Sequence, residues 1–478
     1  MENVNSPDSK PYNEAIHDRS LDGAIGATAL QAELGRVAGE TVDIKAPFCM
    51  EIYPFSFEDD DSGQNVFNKI SRILPHYKEL GINTIWLAPV YPSPRMDMGY
   101  DISDYAAVDP SFGTMEELND LVAEAHNHDQ RVLMDLVLNH TSTEHEWFKK
   151  ALAGDPKYQN YYYFTNSPQD GWHNFFDDQS AWECCPGQDG KYYLHSFHKA
   201  QADLRWFDEE GNINTDLVDE FRSIIDLWTK QHHIDGFRLD VPQAIDKDFS
   251  NPERSIQTLM SGDGEQSALV IAELFGNRPE LLTTIEVFDP TDDDSIMSRY
   301  VGHGKPIQFA MNAFLAQQPE DVMLEEFHKS MNRTPELMVA IQSHDTSRQD
   351  LDNKILISLM NDNPSAVCLY MGQEIGIADP SAEDLNDEDF FRLDAQADMQ
   401  FRAAVESKKQ ANGGSISESE INEIITEIRK NARANNRAPL NIEKYLHELE
   451  KQSKEPNSIY SQLKNAAFAW GRKEQEEA

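Results

Sequence analysis

The sequence predicts an α/β protein built on a parallel (β/α)₈ TIM barrel with a small domain inserted after the third strand. Three observations lead there. Short β-type runs alternate with amphipathic helical stretches, the rhythm of βα units. Eight such runs occur, which favours a closed barrel over an open doubly wound sheet. Finally, polar and acidic residues stand where several of these apolar runs stop, and barrel enzymes carry their chemistry at the C-terminal ends of the strands.

Taken in order, residues 1–45 are polar and read as an N-terminal extension. The runs then begin with FCMEIYPF from Phe48, INTIWLAPV from Ile82, RVLMDLVLNH from Arg131 and GFRLDV from Gly236. ALVIAELF from Ala268, PIQFAMN from Pro306, LMVAIQSHD from Leu337 and AVCLYMGQEIG from Ala366 complete the eight. TMEELNDLVAEAH from Thr114 and TDLVDEFRSIIDLWTK from Thr215 are helices between them. Residues 141–214, rich in Tyr, Trp, Asp and Gly, are too long for an ordinary loop and are expected to form a small domain over the barrel mouth. Most of their aromatics read as that domain's own core, with a few free to stack on sugar rings. The barrel therefore takes residues 46–140 and 215–478, with a charged helical excursion over about 377–455 that includes SESEINEIITEIRKNAR and IEKYLHELEKQS. SIYSQLKNAAFAWGR reads as the eighth barrel helix.

The chain has 478 residues, with 41 Lys and Arg against 84 Asp and Glu, a formal net charge of −43. A field of that sign disfavours nucleic acid and acidic membrane surfaces, and suits a neutral ligand such as a sugar or a protein kept soluble at high salt. Cys49 and Cys368 lie in apolar runs and read as buried thiols. Cys184 and Cys185 are adjacent, without metal-type spacing. Neither a signal peptide nor an apolar run near the ~20 residues of a membrane span is visible, so a cytoplasmic location is expected.

The strand ends supply Asn139 and His140, then Arg238 and Asp240, then Glu273, then His344 and Asp345. Arg238 and Asp240 are two apart on one strand and leave from the same face, so the guanidinium favours the ionised carboxylate that a nucleophile needs. Glu273, on the next run, would have like-charged neighbours and partial burial, which raise a pKa and suit a general acid. Carboxyl groups about 5–5.5 Å apart on neighbouring strands make a retaining glycosidase pair. Asp345 would approach from the far side. Any one of these groups is commonest as a structural ion pair; their joint placement at strand ends, in order, is what argues for catalysis.

These segments together resemble the alpha-amylase family of glycoside hydrolases (family 13) over about residues 46–470. DLVLNHTS from Asp135, GFRLDV, AELFGN and SHDTSR from Ser343 are similar to its four principal motifs. GYDISDY from Gly99, QADLRW from Gln201 and YMGQEIG from Tyr370 match further segments. The resemblance implies Asp240 as nucleophile, Glu273 as acid/base and Asp345 as transition-state stabiliser. It places Asp97, Tyr100, His140, Arg238, His344 and Arg348 around the scissile glucose. The spacing of Ser142, His145, Trp147 and Phe148, with QADLRW, looks closest to oligo-1,6-glucosidases and related alpha-glucosidases, in which a valine at the place of Val241 accompanies α-1,6 preference. No cofactor is implied. The loop from Glu58, with Asp59, Asp61 and Asn65, resembles a calcium-type loop but is shorter, and a solvated acidic turn competes with Ca²⁺ there. RAPL from Arg437 stands where relatives carry RTPMQW, and the family's C-terminal β-domain is expected to be absent.

The resulting expectation is hydrolysis of α-linked glucose from short oligosaccharides or disaccharides by double displacement. Two alternatives stand beside it. One is glucosyl transfer or isomerisation of a disaccharide, of the trehalose or sucrose isomer type, using the same carboxylates. The other is a non-catalytic carbohydrate-binding protein, which retention of all three acids disfavours.

Overall fold

The structure is a computed structural model that describes residues 46–58, 63–247, 249, 264–346, 352–362, 364–378, 385–412, 414–430 and 432–477. Eight parallel strands form its centre: β1 (Phe48–Ile52), β2 (Thr84–Leu87), β3 (Arg131–Val137), β4 (Gly236–Asp240), β5 (Leu282–Val287), β6 (Phe309–Asn312), β7 (Met338–Ala340) and β8 (Ala366–Tyr370). Each is paired with its sequence neighbour, β8 pairs back onto β1, and a parallel bridge from Ala310 to Leu337 joins β6 to β7. The sheet is thus a nearly closed barrel, with β6 and β7 meeting at that one bridge. Strands buried on both faces need continuous apolar runs rather than alternation, which is what FCMEI, TIWL and AVCLY supply. Cys49, Trp86, Leu133, Leu282, Phe309, Met311, Met338, Ala366 and Cys368 fill the interior. Gly236 is required where β4 meets β5, since a Cβ there would lie 1.7 Å from the Leu282 carbonyl oxygen.

Helices cover the barrel: α1 (Val66–Leu80), α2 (Met115–Asn127), α3 (Thr215–Asp226), α4 (Glu265–Phe275), α5 (Glu320–Arg333) and α6 (Asp352–Asn361). Helix α2 starts with a capping box between Thr114 and Glu117, which satisfies two amide donors at once. After β8 come α7 (Asp387–Leu393), α8 (Ala395–Ala411), α9 (Glu418–Arg429), a 3₁₀ turn over Arg433–Asn435, α10 (Ile442–Ser453) and α11 (Ile459–Glu477). Between β3 and α3, His140–Ser142 pairs with Gln201–Asp203, and a three-stranded sheet is made by Phe164–Thr165, Trp182–Cys184 and Tyr192–Leu194. Among the described residues no helix is long and apolar enough to cross a membrane.

One strand expectation is overturned. ALVIAELF is not the fifth strand but the body of α4, and β5 is LTTIEV, which pairs with β4 on one side and β6 on the other. Helix α4 is apolar nearly all round, so its sequence carries no helical stripe to separate it from a buried strand. In β5, two threonines and a glutamate dilute the apolar signal, although Thr283, Thr284, Ile285 and Val287 are β-branched.

Candidate active site

The strand exchange moves one carboxylate out of the barrel mouth and another into it. Glu273, on α4, lies in the outer helical layer, where Arg222 on α3 donates to its Oε2 at 2.6 Å and to its carbonyl at 2.9 Å. It does not line the pocket. Glu286, on β5, does. The β4–β5 register pairs Ile285 with Leu239, which sets Glu286 beside Asp240 one residue further on.

Arg238 ties the two together. Its Nη1 donates to Asp240 Oδ1 at 2.6 Å and to Asp135 Oδ1 at 2.5 Å, and its Nη2 donates to Glu286 Oε2 at 2.5 Å. The guanidinium is fully buried and lies over the Trp86 ring, whose Nε1 donates to the other oxygen of Asp135. Burial pushes Asp135 up to about 6, against the pull of Arg238. Burial likewise pushes Glu286 up to about 7, assisted by Asp240 and Asp345 and opposed by Arg238. Just past the Asp240 strand end, Val241 adopts φ +26°, a left-handed conformation rare for a β-branched residue, and the chain turns into the 3₁₀ segment Pro242–Ile245.

Asp345 faces this pair from the end of β7. Burial acts to raise its pKa, but His344, Arg437 and Arg433 together hold it well below the usual carboxylate range. Arg437 Nη2 donates to Asp345 Oδ1 at 2.7 Å. Arg433 donates to Asp97 at 3.0 Å, to Asp394 at 3.3 Å and to Asp345 at 3.4 Å. Asp97 also accepts from Gln201 at 3.1 Å. His140 is buried, with Nε2 3.2 Å from the Tyr100 carbonyl, and burial lowers its pKa. The pocket these groups enclose is about 470 Å³. Phe175, Phe176, Phe197 and Phe288 form its apolar side.

Of the residues expected from sequence, Asp97, Tyr100, His140, Asp240 and Asp345 line this pocket, while Arg238 and His344 lie beneath its wall. Arg348, Asp59 and Asp61 lie outside the described residues. Asn65, the third residue of the suggested Ca²⁺ loop, caps α1 by accepting from the Asn68 amide and donates to Glu117, so its side chain serves the helix start. Among the described residues no cluster of three His, Cys, Asp or Glu side chains has metal-binding geometry. Sequence reasoning missed Glu286 and Arg433, and named Arg437 only as the start of RAPL, without a role at the site. A signal for Glu286 was available in the β-branched run TTIEV from Thr283, which carries the glutamate near its end. Arg433 and Arg437 reach the pocket from a turn beyond β8, where no strand-end rule points.

A parallel barrel with a buried, guanidinium-bridged carboxylate pair and a third acid opposite is the arrangement of a carbohydrate-active enzyme. The chain belongs to the alpha-amylase family of glycoside hydrolases: the description "Alpha amylase, catalytic domain" matches residues 51–456. It is 30% identical over 412 residues to trehalose-6-phosphate hydrolase of Bacillus subtilis, covering 76% of this chain and 72% of that one. It is 40% identical over 208 residues to oligo-1,6-glucosidase of Bacillus cereus, covering 42% of this chain and 36% of that one. The crystal structure of trehalose-6-phosphate hydrolase from Bacillus licheniformis superposes with TM-score 0.69 at 26% identity, over 90% of this chain and 83% of the other.

Proposed function

We propose that the protein is a retaining α-glucosidase acting on neutral, short α-linked glucosides, with Asp240 as nucleophile, Glu286 as acid/base and Asp345 as transition-state stabiliser. The observation that carries this reading is the single guanidinium of Arg238 bridging Asp240 and Glu286 on adjacent strands at the pocket. Glu286 takes the acid/base role that the sequence had suggested for Glu273, because Glu286 lines the pocket and Glu273 is engaged outside it.

In the first step an Asp240 oxygen attacks C1 of the glucosyl unit. The C1–O bond breaks, its electrons pass to the leaving oxygen, and Glu286 gives that oxygen its proton. In the second, Glu286 takes a proton from water as the water oxygen attacks C1, and Asp240 leaves with its bonding pair. Asp345 stays ionised throughout, which lets it balance the positive charge that builds on the ring. Val241, lining the pocket beside Asp240, supports a preference for α-1,6 linkage, in line with the relative named oligo-1,6-glucosidase.

The phenylalanine side of the pocket favours a second reading. Apolar rings can hold a sugar leaving group against the intermediate and exclude water, which converts hydrolysis into transfer or isomerisation. Chromatography of products from maltose, isomaltose, sucrose and trehalose separates the two, since isomerisation yields a new disaccharide with little free glucose. The same assay on Asp240→Asn and Glu286→Gln tests the assignment. Loss of turnover in both is expected, and full activity of either would overturn it.

A further inference from the structure

Beneath the pocket floor lies a carboxylate with no part in the scheme above. Glu51, on β1, is fully buried. Its Oε1 accepts from Nδ1 of His344 at 2.5 Å and from the His344 amide at 3.3 Å, while its Oε2 has no hydrogen-bond partner. The opposite ring nitrogen of His344, Nε2, is 3.0 Å from Asp345 Oδ2, an ion-pair contact without hydrogen-bond geometry. Two rings stack parallel to the histidine, Tyr53 at 5.5 Å and Tyr100 at 5.2 Å, and restrict its rotation.

An ionised carboxylate in such a place is costly unless it meets a cation. A neutral imidazole can donate to only one of the two flanking acids, and its bare nitrogen would then face the other carboxylate. Only the imidazolium presents an N–H to each acid. The remaining groups around the ring fit that charge. Asp135 on β3 and Glu286 on β5 both sense it, Trp86 on β2 meets it edge-on at 6.3 Å, and Arg437 approaches only its backbone, donating to the His344 carbonyl at 3.3 Å. We propose that Glu51 is a positioning residue for the sugar site: by holding the His344 ring at its Nδ1 it keeps the cation that pairs with Asp345 in place. The inference rests on the reading that Asp345 acts on the sugar. The balance of charges agrees with it, because burial disfavours the imidazolium, yet Asp345 and Glu51 outweigh burial and push His344 up to about 9.

The test compares the full-length wild type with Glu51→Gln, which keeps an acceptor oxygen and removes the charge. The His344 ring is titrated by NMR, its resonance assigned with a His344→Gln variant, and kcat and KM are measured between pH 5.5 and 8 on the neutral disaccharide turned over fastest. In the variant the His344 titration should move down by about two units, within the usual range for losing an adjacent opposite charge. kcat/KM should fall about tenfold at pH 8 and less than about threefold at pH 5.5, where the ring is protonated without help. A merely structural role predicts an equal loss at both pH values. That result, or an unshifted titration, overturns the proposal. If the variant does not fold, the wild type still decides: a His344 that is neutral at pH 7 overturns it, and one still charged at pH 8 supports it. A wild type inactive on every glucoside would overturn the parent reading instead, whereas an active wild type with an unshifted His344 overturns this one alone.

Discussion

Arg222 Nη2 lies 2.6 Å from Glu273 Oε2, and this pair joins α3 to α4 on the outside of the barrel. Glu273 is held by the scaffold and not by the pocket. Glu273→Gln should therefore leave kcat/KM within about threefold of wild type, and removing a half-exposed ion pair should shift stability by no more than about 1 kcal/mol. Glu286→Gln should lower kcat on unactivated disaccharides by about 10³-fold or more, since the leaving oxygen loses its proton donor. Steady-state assays of the two variants side by side check this, and an inactive, folded Glu273→Gln would reverse the assignment.

The pH dependence follows from the same carboxyl group. Burial raises Glu286 to about 7, and its proton is needed in the first chemical step. Activity should fall as pH rises through about 7, while Asp345, held well below the usual carboxylate range, stays ionised across that limb. A pH profile of kcat/KM reads this directly. In Glu286→Gln, with an activated aryl glucoside whose leaving group needs no proton, the alkaline limb near 7 should vanish.

Most of the fold was legible in the sequence, and the gap is instructive. Seven of the eight strands announce themselves as apolar runs ending in polar groups, and Asp240, Asp345 and His140 follow from those ends, while Asp97 came only from the family resemblance. The fifth did not, because a buried helix such as EQSALVIAELF and a buried strand present the same apolar density over so few residues. AELFG carried a glutamate near its end and drew the acid/base role with it. Arg433 and Arg437 were illegible for another reason. Their place depends on how the turn after α9 folds back over the barrel, held by Tyr370 donating to the Asn436 carbonyl at 2.6 Å, a tertiary contact with no local periodicity.

Stability should carry the mark of the raised Glu286 as well. A carboxyl whose folded pKa lies above its unfolded value keeps its proton longer in the folded state. Its contribution to stability therefore declines as pH rises from about 4.5 through about 7. Glu286→Gln removes that ionisation. The variant should gain on wild type by on the order of 1–3 kcal/mol between pH 4 and pH 8. Urea unfolding at the two pH values measures it, and an equal difference at both would show that Glu286 ionises in the folded protein as readily as in the unfolded chain.

Charge at the pocket also bears on which sugar can enter. Asp97, Asp240, Glu286 and Asp345 face the cavity, and the cation among its described lining residues is Arg433, already shared by Asp97, Asp394 and Asp345. A phosphate group brought among these carboxylates would meet repulsion of about 4 kcal/mol per unit charge at 4 Å in a medium of intermediate polarity. The similarity to trehalose-6-phosphate hydrolase thus does not extend to a ready anion site among these residues. A neutral disaccharide should be preferred over its 6-phosphate by about 100-fold or more in kcat/KM. Competition between trehalose, isomaltose and trehalose 6-phosphate, followed by glucose release, tests this. Equal turnover of the phosphorylated sugar would require a cation that reaches the pocket from outside the described lining.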